Sequence, residues 1–233
     1  MAATVARSQD PPTAPSPPRV LPGARAVGPT PFVPAATVGA QTAAWIARSA
    51  SGIALLSFNQ RVVRLALHSG TIDAGGSGWK WGPAVSAGER RTVVAAFNGG
   101  FKFAAGAGGF MSYGRVAAPL HAGLGSIVTY ADGATDIGSW RQEVPALGRR
   151  VVSVRQNLSL LIDHGRGASN LGCLSCWGAT LGGVSAPARS ALGITADGRL
   201  IWAGGERLTT ADLINALLAT RVVRAVELDI NPE

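Results

Sequence analysis

Glu227 and Asp229 lie two positions apart at the end of the apolar run Val222, Val223, Ala225 and Val226. On a strand, that spacing points both carboxylates from one face, with Cβ atoms about 7 Å apart. Paired carboxylates serve glycosidic-bond cleavage, one as acid and the other as base or nucleophile. With Glu233 they form the densest acidic cluster in a chain of only 13 acidic residues. Polar groups crowded at the end of a buried strand are where active sites tend to sit. Glu227 has a competing reading as the partner of an arginine, Arg189 or Arg224, because a carboxylate inside a buried strand must be neutralised. Asp229, at the strand end, is the better placed for chemistry. Glu227, Asp229 and Glu233 offer oxygen ligands to a hard cation, but they complete no ligand set. No metal or other cofactor is therefore expected.

Asn98, Gly99 and Gly100 close a second apolar run, at residues 92–97. The glycines permit positive φ and close approach of a ligand to the backbone. The asparagine amide both donates and accepts, as sugar hydroxyls require. The same residues also read as an ordinary hairpin turn. Arg189 opens a further strand and has the fork that grips a phosphate, with a plain surface arginine as the competing reading. Cys173 and Cys176 are the only cysteines. Their Gly-rich surroundings lack the strand-to-helix setting of a thioredoxin-like motif. A small-loop disulfide in an exported protein is preferred, ahead of two free thiols and of a metal site, for which His121 and His164 have no recognised spacing. No serine sits in a Gly-x-Ser-x-Gly elbow, and no Gly-rich segment continues as a nucleotide loop.

Strand signals dominate the elements that must position these groups. Apolar runs at 53–58 and 63–67 flank Asn59 and Gln60 as a hairpin, and 92–97 is a further strand. Runs at 126–130 and 135–137 enclose an Asp-Gly turn at Asp132, and those at 192–195 and 200–203 enclose another at Asp197. Strands at 151–154 and 158–162 surround Arg155, Gln156 and Asn157. Residues 75–82 are a loop carrying Trp79 and Trp81. A single helix is predicted over 210–219, from the spacing of Leu213, Ile214, Leu217 and Leu218 and from Thr209 with Asp212 as a capping box. A strand over 222–228 follows it. The pattern predicts an α+β fold, one sheet-rich domain with few helices and no βαβ rhythm.

The 233 residues divide into an arm and a domain. Residues 1–38 hold most of the 14 prolines and bury too little surface to offset ordering entropy, so a disordered Pro-rich spacer is expected, rather than a Pro-rich ligand for a partner. Residues 39–233 form the domain. The formal charge is +8, and all but Lys80 and Lys102 of the 21 basic residues are arginine. They are scattered, with only Arg90–Arg91 and Arg149–Arg150 adjacent, so no nucleic-acid footprint is expected. No apolar stretch reaches the roughly 18 residues that suggest a membrane span, and residues 1–10 lack a signal-peptide core.

Taken in order, residues 95–101, the segment 109–114, residues 189–194 with Asp197 and Gly198, and the final helix and strand into Glu227-Leu-Asp-Ile-Asn-Pro232 resemble the phosphodiester glycosidase domain family. The resemblance covers roughly residues 50 to 233. It implies an α+β fold and hydrolysis of the C1–O bond of a sugar-1-phosphodiester, with a carbohydrate-phosphate substrate. It implies that Asn98, Gly99 and Gly100 hold the sugar or phosphate, that Arg189 pairs with the phosphate and that Asp229 acts at the glycosidic centre. Asn231, in the same terminal cluster, is counted with the substrate-binding residues. Animal members run from the last strand into Leu-Asp-Gly-Gly-Gly-Ser, whereas Leu228 and Asp229 are followed here by Ile230, Asn231 and Pro232. The change removes a glycine nest able to cradle an anion. It keeps open a non-catalytic glycan-binding module of the cell envelope, or an inactive fragment. Related bacterial domains with this ending are typical of secreted or envelope proteins and continue further, so an incomplete C-terminus is also expected.

Overall fold

The computed structural model describes residues 31–49, 51–178, 186–228 and 230. Its strands are β1 (Val33–Val38), β2 (Gln41–Arg48), β3 (Ala54–Phe58), β4 (Phe110–Ser112), β5 (Arg115–Ala118), β6 (Gly125–Tyr130), β7 (Thr135–Ser139), β8 (Val151–Gln156), β9 (Leu160–Asp163), β10 (Arg166–Gly167), β11 (Arg189–Thr195), β12 (Leu200–Gly205) and β13 (Val222–Glu227). One α-helix, α1 (Thr210–Ala219), joins β12 to β13. The larger sheet runs β1-β2-β3-β12-β11-β13-β9-β10 and the smaller β5-β4-β8-β6-β7, and every paired strand is antiparallel.

Strand alternation builds three layers. Ala191 and Ile201 face the helix side, where Leu213, Ile214 and Leu217 of α1 cover them. Leu192, Val226 and Leu228 face the other way and meet Ile127 and Ile137 of the smaller sheet. Side chains on successive residues leave opposite faces of a strand, so β11 and β13 are apolar on both sides because both are covered. The capping box forms with aspartate in place of glutamate. Thr209 Oγ1 accepts from Asp212 N at 3.1 Å, and Thr209 N donates to Asp212 Oδ2 at 3.0 Å. A cap of this kind contributes about 1 kcal/mol.

Both Asp-Gly hairpins and α1 fall where the sequence places them. The first half of the chain differs. Residues 53–58 and 63–67 do not form a hairpin: β3 is bonded to β2 on one side and to β12 on the other, leaving no edge for a further strand. The Asn59 carbonyl instead accepts from the backbone N–H groups of Val62 and Val63, each at 2.9 Å, turning the chain away. Residues 92–97 are also irregular, and Val94, Ala95 and Phe97 pack as a cover on the core between the sheets. Their apolarity therefore reports burial rather than strand pairing. Residues 33–38, assigned to the arm by composition, form β1 instead; its residues are mostly exposed, which is why they read as non-core. Residues 1–30 lie outside the described residues. Among the described residues, no helix is long and apolar enough to cross a membrane.

Candidate functional site

Glu227 ends β13 opposite Ala191 of β11, and the Leu228 N–H donates to the Ser190 carbonyl at 2.8 Å. This register sets Arg189 beside Glu227. Arg189 Nη1 donates to Glu227 Oε1 at 2.5 Å and to the Trp177 carbonyl at 3.0 Å, while Nε donates to the Leu208 carbonyl at 3.1 Å. Both side chains are buried, Arg189 at 3 % and Glu227 at 0 % exposure. Of the two arginines considered for Glu227, Arg224 turns instead to the smaller sheet, with Nη2 2.8 Å from Asp136 Oδ1. Nε and Nη1 of the Arg189 fork thus face protein acceptors.

Burial pushes the Glu227 carboxyl up to about 7, with the charge and hydrogen bond of Arg189 pulling the other way. Its second oxygen, Oε2, has no hydrogen-bond partner. Between its ordinary value of 4.5 and about 7, the folded chain holds this proton more tightly than the unfolded chain does. The group therefore favours folding below pH 4.5, and that contribution is lost as pH rises through 7. A rise of this size corresponds to about 3 kcal/mol. Glu227→Gln, which cannot titrate, is expected to flatten the corresponding fall in stability. Urea unfolding of both proteins across this range checks the slope; equal slopes would contradict the assignment.

The Asn98 turn is built by a neighbour that the sequence did not single out. Asn157, fully buried after β8, accepts from Phe101 N at 3.1 Å through Oδ1 and donates from Nδ2 to the Gly99 carbonyl at 3.2 Å. Gly100 has φ +134°, and a Cβ there would lie 1.8 Å from Asn157 Oδ1. Only glycine fits both constraints. Gly100→Ala is expected to destabilise the fold by about 2 kcal/mol or more, combining backbone strain and overpacking; chemical denaturation measures it. Arg155 supports the next step of the loop by donating to the Phe101 carbonyl and, at 2.6 Å, to the Gln156 carbonyl. Gln156 Oε1 accepts from Gly109 N at 3.2 Å and from His121 N at 2.7 Å. The polar run at 155–157, read as a linker between strands, is thus the buried frame of two loops. Three adjacent groups rich in hydrogen-bonding capacity between apolar strands are the signal that could have found it.

These parts converge. The Phe101 ring and Ile230 pack together, and both press on Gly178, where a Cβ would lie 2.6 Å from Phe101 and 2.8 Å from Ile230. The preceding residue, Trp177, is the one whose carbonyl holds Arg189. Asn98 is exposed at the head of its turn, and Gly99 and Gly100 are half-buried. Arg189, Glu227, the 98–101 turn and Ile230 therefore meet at one end of β11 and β13. Cys173 and Cys176 are joined in a disulfide in the turn that leads into Trp177. Asp229, Asn231 and Glu233 lie outside the described residues.

No family model matches the chain, and no curated protein does. Several solved structures are similar to it, among them the following two. One is the zebrafish N-acetylglucosamine-1-phosphodiester alpha-N-acetylglucosaminidase catalytic domain auto-inhibited by its pro-peptide, at 17 % identity and TM-score 0.42, covering 57 % of this chain and 50 % of that one. The other is a hypothetical protein from Synechocystis, at 14 % identity and TM-score 0.43, covering 90 % of this chain and 59 % of that one. Both likenesses are distant. The chain spans between half and three-fifths of the length of these structures.

Among the described residues, Glu143, Asp163 and His164 form a group of metal-ligating side chains, with ligand atoms within 4.8 Å of one another. Arg224 Nη1 lies 3.8 Å from Glu143 Oε1, and Asp163 and His164 are more than half exposed. A guanidinium competes there for the same carboxylate, and the group is not adopted as a metal centre.

Proposed function

We propose that the chain is a glycosidase that hydrolyses the C1–O bond of a sugar-1-phosphodiester, in an exported or cell-envelope setting. The observation that carries this reading is the convergence of the 98–101 turn, Arg189, Glu227 and Ile230 from separate parts of the sequence. In the proposed reaction, water adds its oxygen to C1, the C1–O bond breaks and the phosphate monoester leaves. Asp229 stabilises positive charge developing at C1. Asn98 and the backbone at Gly99 and Gly100 hold the sugar or phosphate, and Asn231 adds a polar contact. Glu227 holds Arg189 in place, and Arg189 pairs with the phosphate end of the substrate through the part of its fork that Glu227 does not occupy. The disulfide supports an oxidising location.

A second reading, a glycan-binding module without turnover, is favoured by one observation: Glu227 and Arg189 neutralise each other in a buried pair. The two are separated by incubating the protein with a simple sugar-1-phosphodiester, such as an alkyl ester of a sugar 1-phosphate, and following the products. Equal amounts of free reducing sugar and phosphate monoester are expected. Retention of the diester on immobilised protein without any product would overturn the glycosidase in favour of the binding module.

A further inference from the structure

The loop at residues 75–82, with its two tryptophans, has no part in the site above. We propose that Trp81, Lys80 and Tyr113 form a separate platform that binds a pyranose carrying a phosphate. The choice of a sugar as ligand rests on the proposed glycosidase reading, whereas the charge and geometry of the platform do not.

Trp79 anchors the loop. It is buried, donates from Nε1 to the Gly75 carbonyl at 2.6 Å and meets Phe110 edge-on at 5.3 Å between centroids. The Arg115 guanidinium lies 4.1 Å from the Trp79 ring centroid and donates from Nη1 to the Ser77 carbonyl at 2.6 Å. Asp73 is occupied as acceptor of Phe103 N at 2.6 Å. With the loop tied at these points, Trp81 and Lys80 are presented at the surface, so little ordering is left for a ligand to impose.

Lys80 Nζ sits 5.6 Å from the Trp81 ring centroid and 5.9 Å from that of Tyr113. Tyr113 is 48 % exposed in the β4–β5 turn and Trp81 is half-buried. One ammonium between two rings is held by cation–π attraction. The chain's own lysine thereby fills the place an external cation would take. The exposed surface of Tyr113 and the ammonium suit a flat C–H surface and an anion, which is what a pyranose phosphate offers. Lys80 and Arg115 make the local charge positive. Of the titratable groups nearby, Glu89 Oε1 sits 3.6 Å from His68 Nε2. The His68 side chain is 10 % exposed, packs at 6.4 Å from the Trp81 ring and has no hydrogen bond to either ring nitrogen. Burial holds its pKa below the ordinary value, so at neutral pH it adds no charge that would compete for the anion.

The test follows indole N–H signals by NMR in the full chain, with Trp81→Phe assigning the relevant peak. Probes are glucose 1-phosphate, methyl α-glucopyranoside and inorganic phosphate. Glucose 1-phosphate is expected to shift the Trp81 signal, with about tenfold weaker binding of the uncharged glucoside and no response to phosphate alone. Lys80→Gln should bring glucose 1-phosphate down to the glucoside level, and Trp81→Ala should abolish sugar binding seen at the remaining signals and by calorimetry. Thermal melts matching the parent protein establish that these surface variants fold. An equal response to inorganic phosphate, or undiminished binding by Trp81→Ala, overturns the platform. Release of sugar from a diester by a protein whose Trp81 signal stays silent sinks the platform and spares the glycosidase. A shifted Trp81 signal without sugar release does the reverse.

Discussion

Replacing Asp229 with alanine should lower sugar release from a sugar-1-phosphodiester by about 10²–10⁴-fold, the usual contribution of one positioned carboxylate. Its neighbours in the chain, Leu228 and Ile230, are buried at 0 % and 1 % exposure, one in the core between the sheets and the other against Phe101. The backbone on either side is thus held by apolar packing. Its thermal midpoint should stay close to that of the parent protein, so that lost turnover is not lost folding. Unchanged turnover would remove Asp229 from the mechanism. Asp229→Asn adds a finer test: it retains the shape while losing the charge and exchanging one acceptor oxygen for a donor, and should be as inactive as the alanine variant if the charge at C1 matters.

Arg189→Ala is expected to cost about 3–5 kcal/mol of stability above pH 7, because it leaves the Glu227 carboxyl buried without its counter-charge. The loss should be smaller below pH 4.5, where Glu227 carries its proton in either protein. Burial raises the carboxyl already in the presence of Arg189, and without the guanidinium nothing opposes that rise. A double replacement, Arg189→Met with Glu227→Leu, should regain most of the stability, since well-packed apolar groups commonly replace a buried pair at little cost. Urea unfolding of the single and double variants at the two pH values makes the comparison. A single variant as stable as the parent would mean that the pair contributes nothing to the fold.

The second half of the domain was legible because its signals are local. The Asp-Gly turns at Asp132 and Asp197 fix hairpins through their own residues, and α1 opens on a capping box closed between Thr209 and Asp212. The first half was not, because strand pairing depends on a free edge. Residues 63–67 alternate like a strand, yet β3 is saturated by β2 and β12, and no sequence window carries that fact. Val94 and Phe97 are apolar for the same reason as a strand's inner face, without being one. For the site, Glu227 could be narrowed to two arginines by the cost of a buried charge, but the choice of Arg189 needed the register of β11 against β13. Asn157 was hidden for a related reason. Its hydrogen bonds reach a turn more than fifty residues earlier, so its burial is a property of the assembled loops and not of its own neighbourhood.

The glycosidase account turns on which bond of the diester breaks. Turnover in water enriched in ¹⁸O, followed by mass spectrometry of both products, tests this directly. Attack at C1 leaves the phosphate monoester unlabelled, the result expected here. Label in the phosphate monoester would mean cleavage at phosphorus, and would contradict a mechanism centred on Asp229 and C1.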